Sequence, residues 1–180
     1  MRRRLLIISV LVIVVLSIFI ISGCSELSKS ETQTTKKFER ILPQLQKRYT
    51  KLFDALNLAV EIGGQRDITK DGLKSYSEYL DAVKKKNTSK QLDSAIDLED
   101  IIGRLRANAS SVGSVKLSGS QELKDAIGLI DKETIAKDVK DKYTKASKSY
   151  EEKRTSWRYL LSATICGYSS QKILEFSEPS

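Results

Sequence analysis

Apolar residues are arranged along this chain in two ways. From Leu5 to Gly23 they dominate an uncharged block that comes after a head of Arg2, Arg3 and Arg4. From Phe38 onward they recur every three or four residues, the period of a helix with one buried face. Between the two patterns, Ser25 to Lys37 is rich in Ser, Thr, Gln and Lys and reads as a flexible tether.

The periodic part divides into four predicted helices. The first runs from Thr35 to Ile62, with a seam at Phe38, Leu42, Leu45, Tyr49, Leu52, Leu56 and Ala59. Pro43 should kink it or mark its true first turn, and Gly63-Gly64 should end it. The second runs from Asp67 to Lys86 on Leu73, Tyr76, Leu80 and Val83, and Asn87-Thr88-Ser89 is a turn with capping residues. The third spans Ser89 to Asn108, with Leu92, Ala95, Leu98, Ile102, Leu105 and Ala109 on one face. A loop covers Ser110 to Ser120, and Ser120 is placed to cap the fourth helix. That helix, Ser120 to Leu161, carries Leu123, Ile127, Ile130, Ile135, Val139, Tyr143, Ala146, Tyr150 and Trp157. Gly167 should end a short final segment, and Gln171 to Ser180 reads as a tail. This pattern predicts an all-α fold, an antiparallel up-and-down four-helix bundle preceded by an N-terminal membrane-targeting helix. The expected divisions are residues 1–23, 24–37, 38–176 and 177–180.

The apolar block has the layout of a lipoprotein signal peptide, because Ile21-Ser22-Gly23 leads into Cys24. Cleavage before Cys24 and acylation of its sulfur, palmitate included, would fix the protein to a membrane on its extracytoplasmic face. The alternative is an uncleaved transmembrane helix. Leu5 to Ile21 spans roughly 25 Å, short of the roughly 30 Å hydrocarbon core yet slightly long for a signal peptide, so length does not decide. Both readings leave Arg2 to Arg4 in the cytoplasm and send the rest across. With Cys24 acylated, Cys166 would have no partner and would be a small core residue within Ala163-Thr164-Ile165-Cys166-Gly167.

Several stretches together resemble the LemA family of small, membrane-anchored helical proteins. Gln44-Leu45-Gln46-Lys47-Arg48-Tyr49 is similar to the family's Gln-Leu-x-Arg-Arg segment. Ile102-Gly103-Arg104-Leu105 looks like its Gly-Arg-Leu helix. Tyr143, Tyr150 and Trp157 fall where the family places Tyr-Asn, Tyr-Asn and Phe-Pro, and Gly167-Tyr168 falls at its Gly-Phe. Departures include Thr144 and Glu151 for the asparagines and Arg158 for the proline. The resemblance implies a bundle of long helices and a membrane location, and no particular chemistry.

Composition narrows the function further. With no histidine the chain lacks the commonest general base and metal ligand, and no nucleophile elbow or phosphate-binding glycine loop is present. The expectation is a protein that is not an enzyme and has no cofactor and no metal. The net charge of +8 includes Arg2 to Arg4 and is otherwise interspersed with acids, which excludes a nucleic-acid footprint and leaves weak attraction to anionic lipid heads. Asp93, Asp97 and Asp100 lie along one helix and read as a solvated face. The main functional expectation is a membrane-anchored scaffold or interaction module with a protein partner in the cell envelope. The alternative is a small-ligand or lipid-binding bundle with a pocket near Tyr143, Tyr150 and Trp157.

Overall fold

Arg2 to Glu39 forms one continuous helix, α1. The computed structural model describes residues 2–63, 66–110 and 120–177, and these are all-helical, with no strand. After α1 come α2 (Leu42–Glu61), α3 (Arg66–Lys84), α4 (Thr88–Ser110), α5 (Gln121–Lys132), α6 (Lys137–Thr155) and α7 (Trp157–Ile165). The chain divides into two compact units, one of residues 1–37 with 141–173 and the other of 38–140 with 174–180.

In the second unit, α2 packs on α3 and α5, α3 on α4, and α4 on α5. Leu45, Tyr49, Leu52, Leu56 and Ala59 supply the α2 face of the core, as the seam predicts, although Leu42 is half-buried and Ile41 is buried. Pro43 lies in the first turn of α2, where its missing N–H costs nothing. Gly63 has a positive φ of 78° beyond the end of α2, while Gly64 lies outside the described residues. Ser120 caps α5, its side chain accepting from the Leu123 N–H, and Asn87 Oδ1 accepts from the Lys90 N–H at the start of α4. Most of the expected loop, residues 111–119, lies outside the described residues.

The buried face of α3 differs from the expected one. Ile68, Tyr79 and Ala82 are buried, whereas Leu80 is exposed. The reason is Gly72: a Cβ there would come within 2.7 Å of Leu56 Cδ1 and 3.0 Å of Ile101 Cγ2. Close approach at this glycine turns α3 so that the Tyr79 ring meets Tyr49 edge-on, with centroids 5.1 Å apart.

The expected fourth helix is three helices. It unwinds first at residues 133–136, after α5. There the Arg48 guanidinium donates to the Ile130 carbonyl at 2.9 Å, Gln44 Oε1 accepts from the Ala136 N–H, and the helix ends are satisfied from outside. It breaks again at Ser156, which is extended (φ −70°, ψ 145°). Thr155 and Ser156 turn their hydroxyls back onto the Glu151 and Lys153 carbonyls, a local competition that ends α6.

In the first unit, the expected tether is helical. Leu27, Ser30 and Thr34 are buried on α1, as are Tyr143, Ser147 and Tyr150 on α6. Small and hydroxylated residues permit close helix contact without an apolar signature, which is why the segment reads as solvated.

Candidate functional site

Where the apolar block of α1 ends, Gly23 faces Ser162 of α7. A Cβ at Gly23 would overlap the Ser162 side chain and lie 3.6 Å from Tyr159 Cδ1. A hydrogen in place of a side chain is what lets α7 lie against α1 here. One residue on, the sulfur of Cys24 is bonded to that of Cys166, with Cα atoms 6.2 Å apart. Cys24 Sγ also lies 3.6 Å from the Ser162 carbonyl oxygen, and since a disulfide sulfur carries no proton this is a contact only. The Tyr168 hydroxyl donates to the Cys24 carbonyl at 3.1 Å, and the Tyr159 hydroxyl donates to the Glu26 carboxylate. That hydrogen bond, with some burial, raises the Tyr159 pKa above its ordinary value. Further along, the Gln171 N–H donates to Glu151 Oε1 and the Tyr150 hydroxyl to the Ser169 carbonyl at 3.0 Å, which holds the segment after α7 against α6. Gly167, with φ 73°, makes the turn that brings the chain back.

The disulfide corrects the expectation that Cys166 is an unpartnered core residue. It is exposed and bonded. The two cysteines are separated by 142 residues, and sequence order gives no sign that the break at Ser156 returns Cys166 to α1. A sulfur in this bond has no valence for a lipid, so acylation of Cys24 and the disulfide are exclusive states.

Tyr143, Tyr150 and Trp157 differ in burial. The two tyrosines are fully buried, and Trp157 begins α7 with 79% of its surface exposed. The expectation of Trp157 on a core stripe fails because the helix that would carry it inward stops at Ser156. Asp97 and Asp100 are exposed and Asp93 is half-buried, with Arg104 Nη1 3.9 Å from Asp100.

In the second unit, sequence reasoning misses a buried ion pair. Arg48 Nε and Nη2 donate to the two oxygens of Glu99 at 2.9 and 3.2 Å, and both side chains are almost wholly enclosed. Arg48 Nη2 also donates to the Ser177 carbonyl, and the Ser177 N–H donates to Glu99 Oε2, each at 2.9 Å. Leu174 is buried, and Lys140 Nζ sits 5.2 Å from the centre of the Phe176 ring. Residues 174–177 are therefore part of the fold and not a tail. All donors of the pair are used on protein groups, so it organises α2, α4, α5 and the C-terminal segment and offers no open ligand position. The only sign of it in the sequence is polar: Arg48 and Glu99 each sit beside a residue of an apolar seam.

Within α1 the stretch Ile7–Glu39 is, by length and composition, long and apolar enough to cross a membrane, a test that a signal sequence near the N-terminus also passes, and its large apolar side chains between Ile7 and Ile21, Ile20 excepted, are exposed. Comparison with protein-family models, with curated proteins and with solved structures finds no match to this chain.

Proposed function

We propose that this protein is a non-catalytic, membrane-anchored helical module of the cell envelope, LemA-like, that acts through protein contacts on the extracytoplasmic side. The observation that carries this reading is the row of apolar side chains from Ile7 to Ile21, exposed except for the half-buried Ile20 and preceded in sequence by Arg2 to Arg4. A face of that size is stable in lipid and not in water, and the arginines orient it with the N-terminus in the cytoplasm. The Cys24–Cys166 bond supports the same orientation, since such bonds persist in oxidising compartments. In this reading the helices take an antiparallel up-and-down course.

The anchor has two chemical forms. With the disulfide formed, α1 is retained as a transmembrane helix. With Cys24 acylated after cleavage at Gly23, the lipid replaces it, a form that Ile21-Ser22-Gly23-Cys24 favours. Membranes washed at alkaline pH, then analysed by non-reducing intact mass, test the proposal. Retention in the membrane is expected, with either the full chain less two hydrogens or a diacylated chain beginning at Cys24. Recovery of unmodified chain in the soluble fraction would refute it. In-cell cross-linking then identifies the envelope partner.

A further inference from the structure

We propose that, in the form with the Cys24–Cys166 bond and α1 retained, α7 lies in the headgroup region of the bilayer that α1 enters, with the row Trp157, Leu160, Leu161 and Ile165 seated among the acyl chains; this rests on the membrane-anchored reading. The nine residues of α7 have two faces. Ser162 and Ala163 are buried, and Ser162 and Tyr159 lie at Gly23. On the other side, Trp157, Leu160, Leu161 and Ile165 are spaced by three, one and four residues, and all are more than half exposed. Four large apolar side chains on one face of a short helix form a patch that folding has left uncovered.

Lipid is the occupant that the surroundings favour. The patch is on the helix fixed to α1 at Gly23 and Cys24, where the exposed apolar surface of α1, including Phe19 and Ile21, gives way to the first acid, Glu26. The two apolar surfaces are thus held at one level by a covalent bond. The composition also fits that level: an indole at one end, Tyr159 with its hydroxyl on Glu26, and exposed Arg158 beside the row, a set suited to the boundary between headgroups and chains. The apolar block of α1, at roughly 25 Å, falls short of a roughly 30 Å hydrocarbon core. A second apolar surface at its outer end offsets that mismatch.

Trp157 is the chain's one tryptophan, so its emission reports this face alone. Full-length protein is reconstituted in phosphatidylcholine–phosphatidylglycerol vesicles, with and without phosphatidylcholine brominated on the upper acyl chain. The expected result is blue-shifted emission that falls by about half or more with bromolipid, consistent with an amphipathic helix buried about 5–10 Å into the interface. A Leu160→Asn/Ile165→Asn variant, changed only at exposed positions, should still float with vesicles yet lose most of the quenching. Red, water-like emission without bromolipid quenching, in protein that floats, would overturn the inference and leave the anchor intact. Blue-shifted emission indifferent to bromolipid would overturn it by assigning the face to a protein contact, a second copy included. Unchanged quenching in the double variant would show that the row does not seat the helix. Failure to float would overturn the anchor and this inference together.

Discussion

Cys24 and Cys166 are joined at the point where the apolar part of α1 ends, closing 142 residues of sequence into one loop. Closing so long a loop restricts the unfolded chain, and removing such a bond costs about 2–4 kcal/mol. Cys166→Ser should therefore lower unfolding stability by that amount, measured by urea titration, and reductant should bring the wild type to the same midpoint. Equal midpoints for oxidised wild type and variant would mean that the bond constrains nothing.

Two helical glycines should respond in opposite directions to the same substitution. No atom of the described residues lies within 4 Å of a Cβ at Gly128, so Gly128→Ala should stabilise by about 0.5–1 kcal/mol through helix propensity. At Gly72 the Leu56 methyls and Ile101 stand in the way, and Gly72→Ala should destabilise by about 1–3 kcal/mol through overpacking. Thermal unfolding of both variants checks the sign of each.

Glu99→Ala leaves the Arg48 guanidinium buried without its carboxylate, and a loss of about 3–5 kcal/mol is expected. Arg48→Met/Glu99→Leu, which removes both charges, should recover a large part of it. A double variant as unstable as Glu99→Ala would show that the backbone bonds of Arg48 to Ile130 and Ser177, and not the unpaired charge, dominate.

Burial pushes the phenols of Tyr79 and Tyr150 up from 10.0 to about 12, with neighbouring acids adding to the rise at Tyr150, and burial raises Tyr49 well above its ordinary value. A raised folded-state pKa means that the folded chain keeps a proton the unfolded chain releases. Stability is therefore complete below about pH 10 and declines as pH rises through about 12. The Tyr79 hydroxyl has no hydrogen-bond partner among the described residues, so Tyr79→Phe should be near neutral at pH 7 and lessen the alkaline decline. Urea titrations across that range provide the comparison.

Legibility in the sequence tracks the strength of the apolar signal. The seams of α2, α4 and α5 are plain because Leu and Ile at helical spacing leave one geometric solution. The pattern misplaces the α3 face at Leu80 because the decisive residue, Gly72, has no side chain to enter it. Residues 24–37 read as a tether because Ser30 and Thr34 are buried polar groups, which periodicity scores as solvent. An aromatic spacing of seven puts Trp157 in the core only if the helix is unbroken, and the hydroxyl competition at Ser156 breaks it. The Arg48–Glu99 pair and the Cys24–Cys166 bond depend on distant parts of the chain meeting, and neither spacing nor composition encodes that.

In the proposed topology everything after Gly23 lies outside the cytoplasm, whether α1 is retained in the membrane or a lipid on Cys24 replaces it. Protease added to intact, right-side-out spheroplasts carrying the full chain with an epitope after Ser180 tests it most directly. Loss of the epitope without membrane permeabilisation, with a cytoplasmic control protein intact, is the predicted result. An epitope that survives until the membrane is opened would contradict the account.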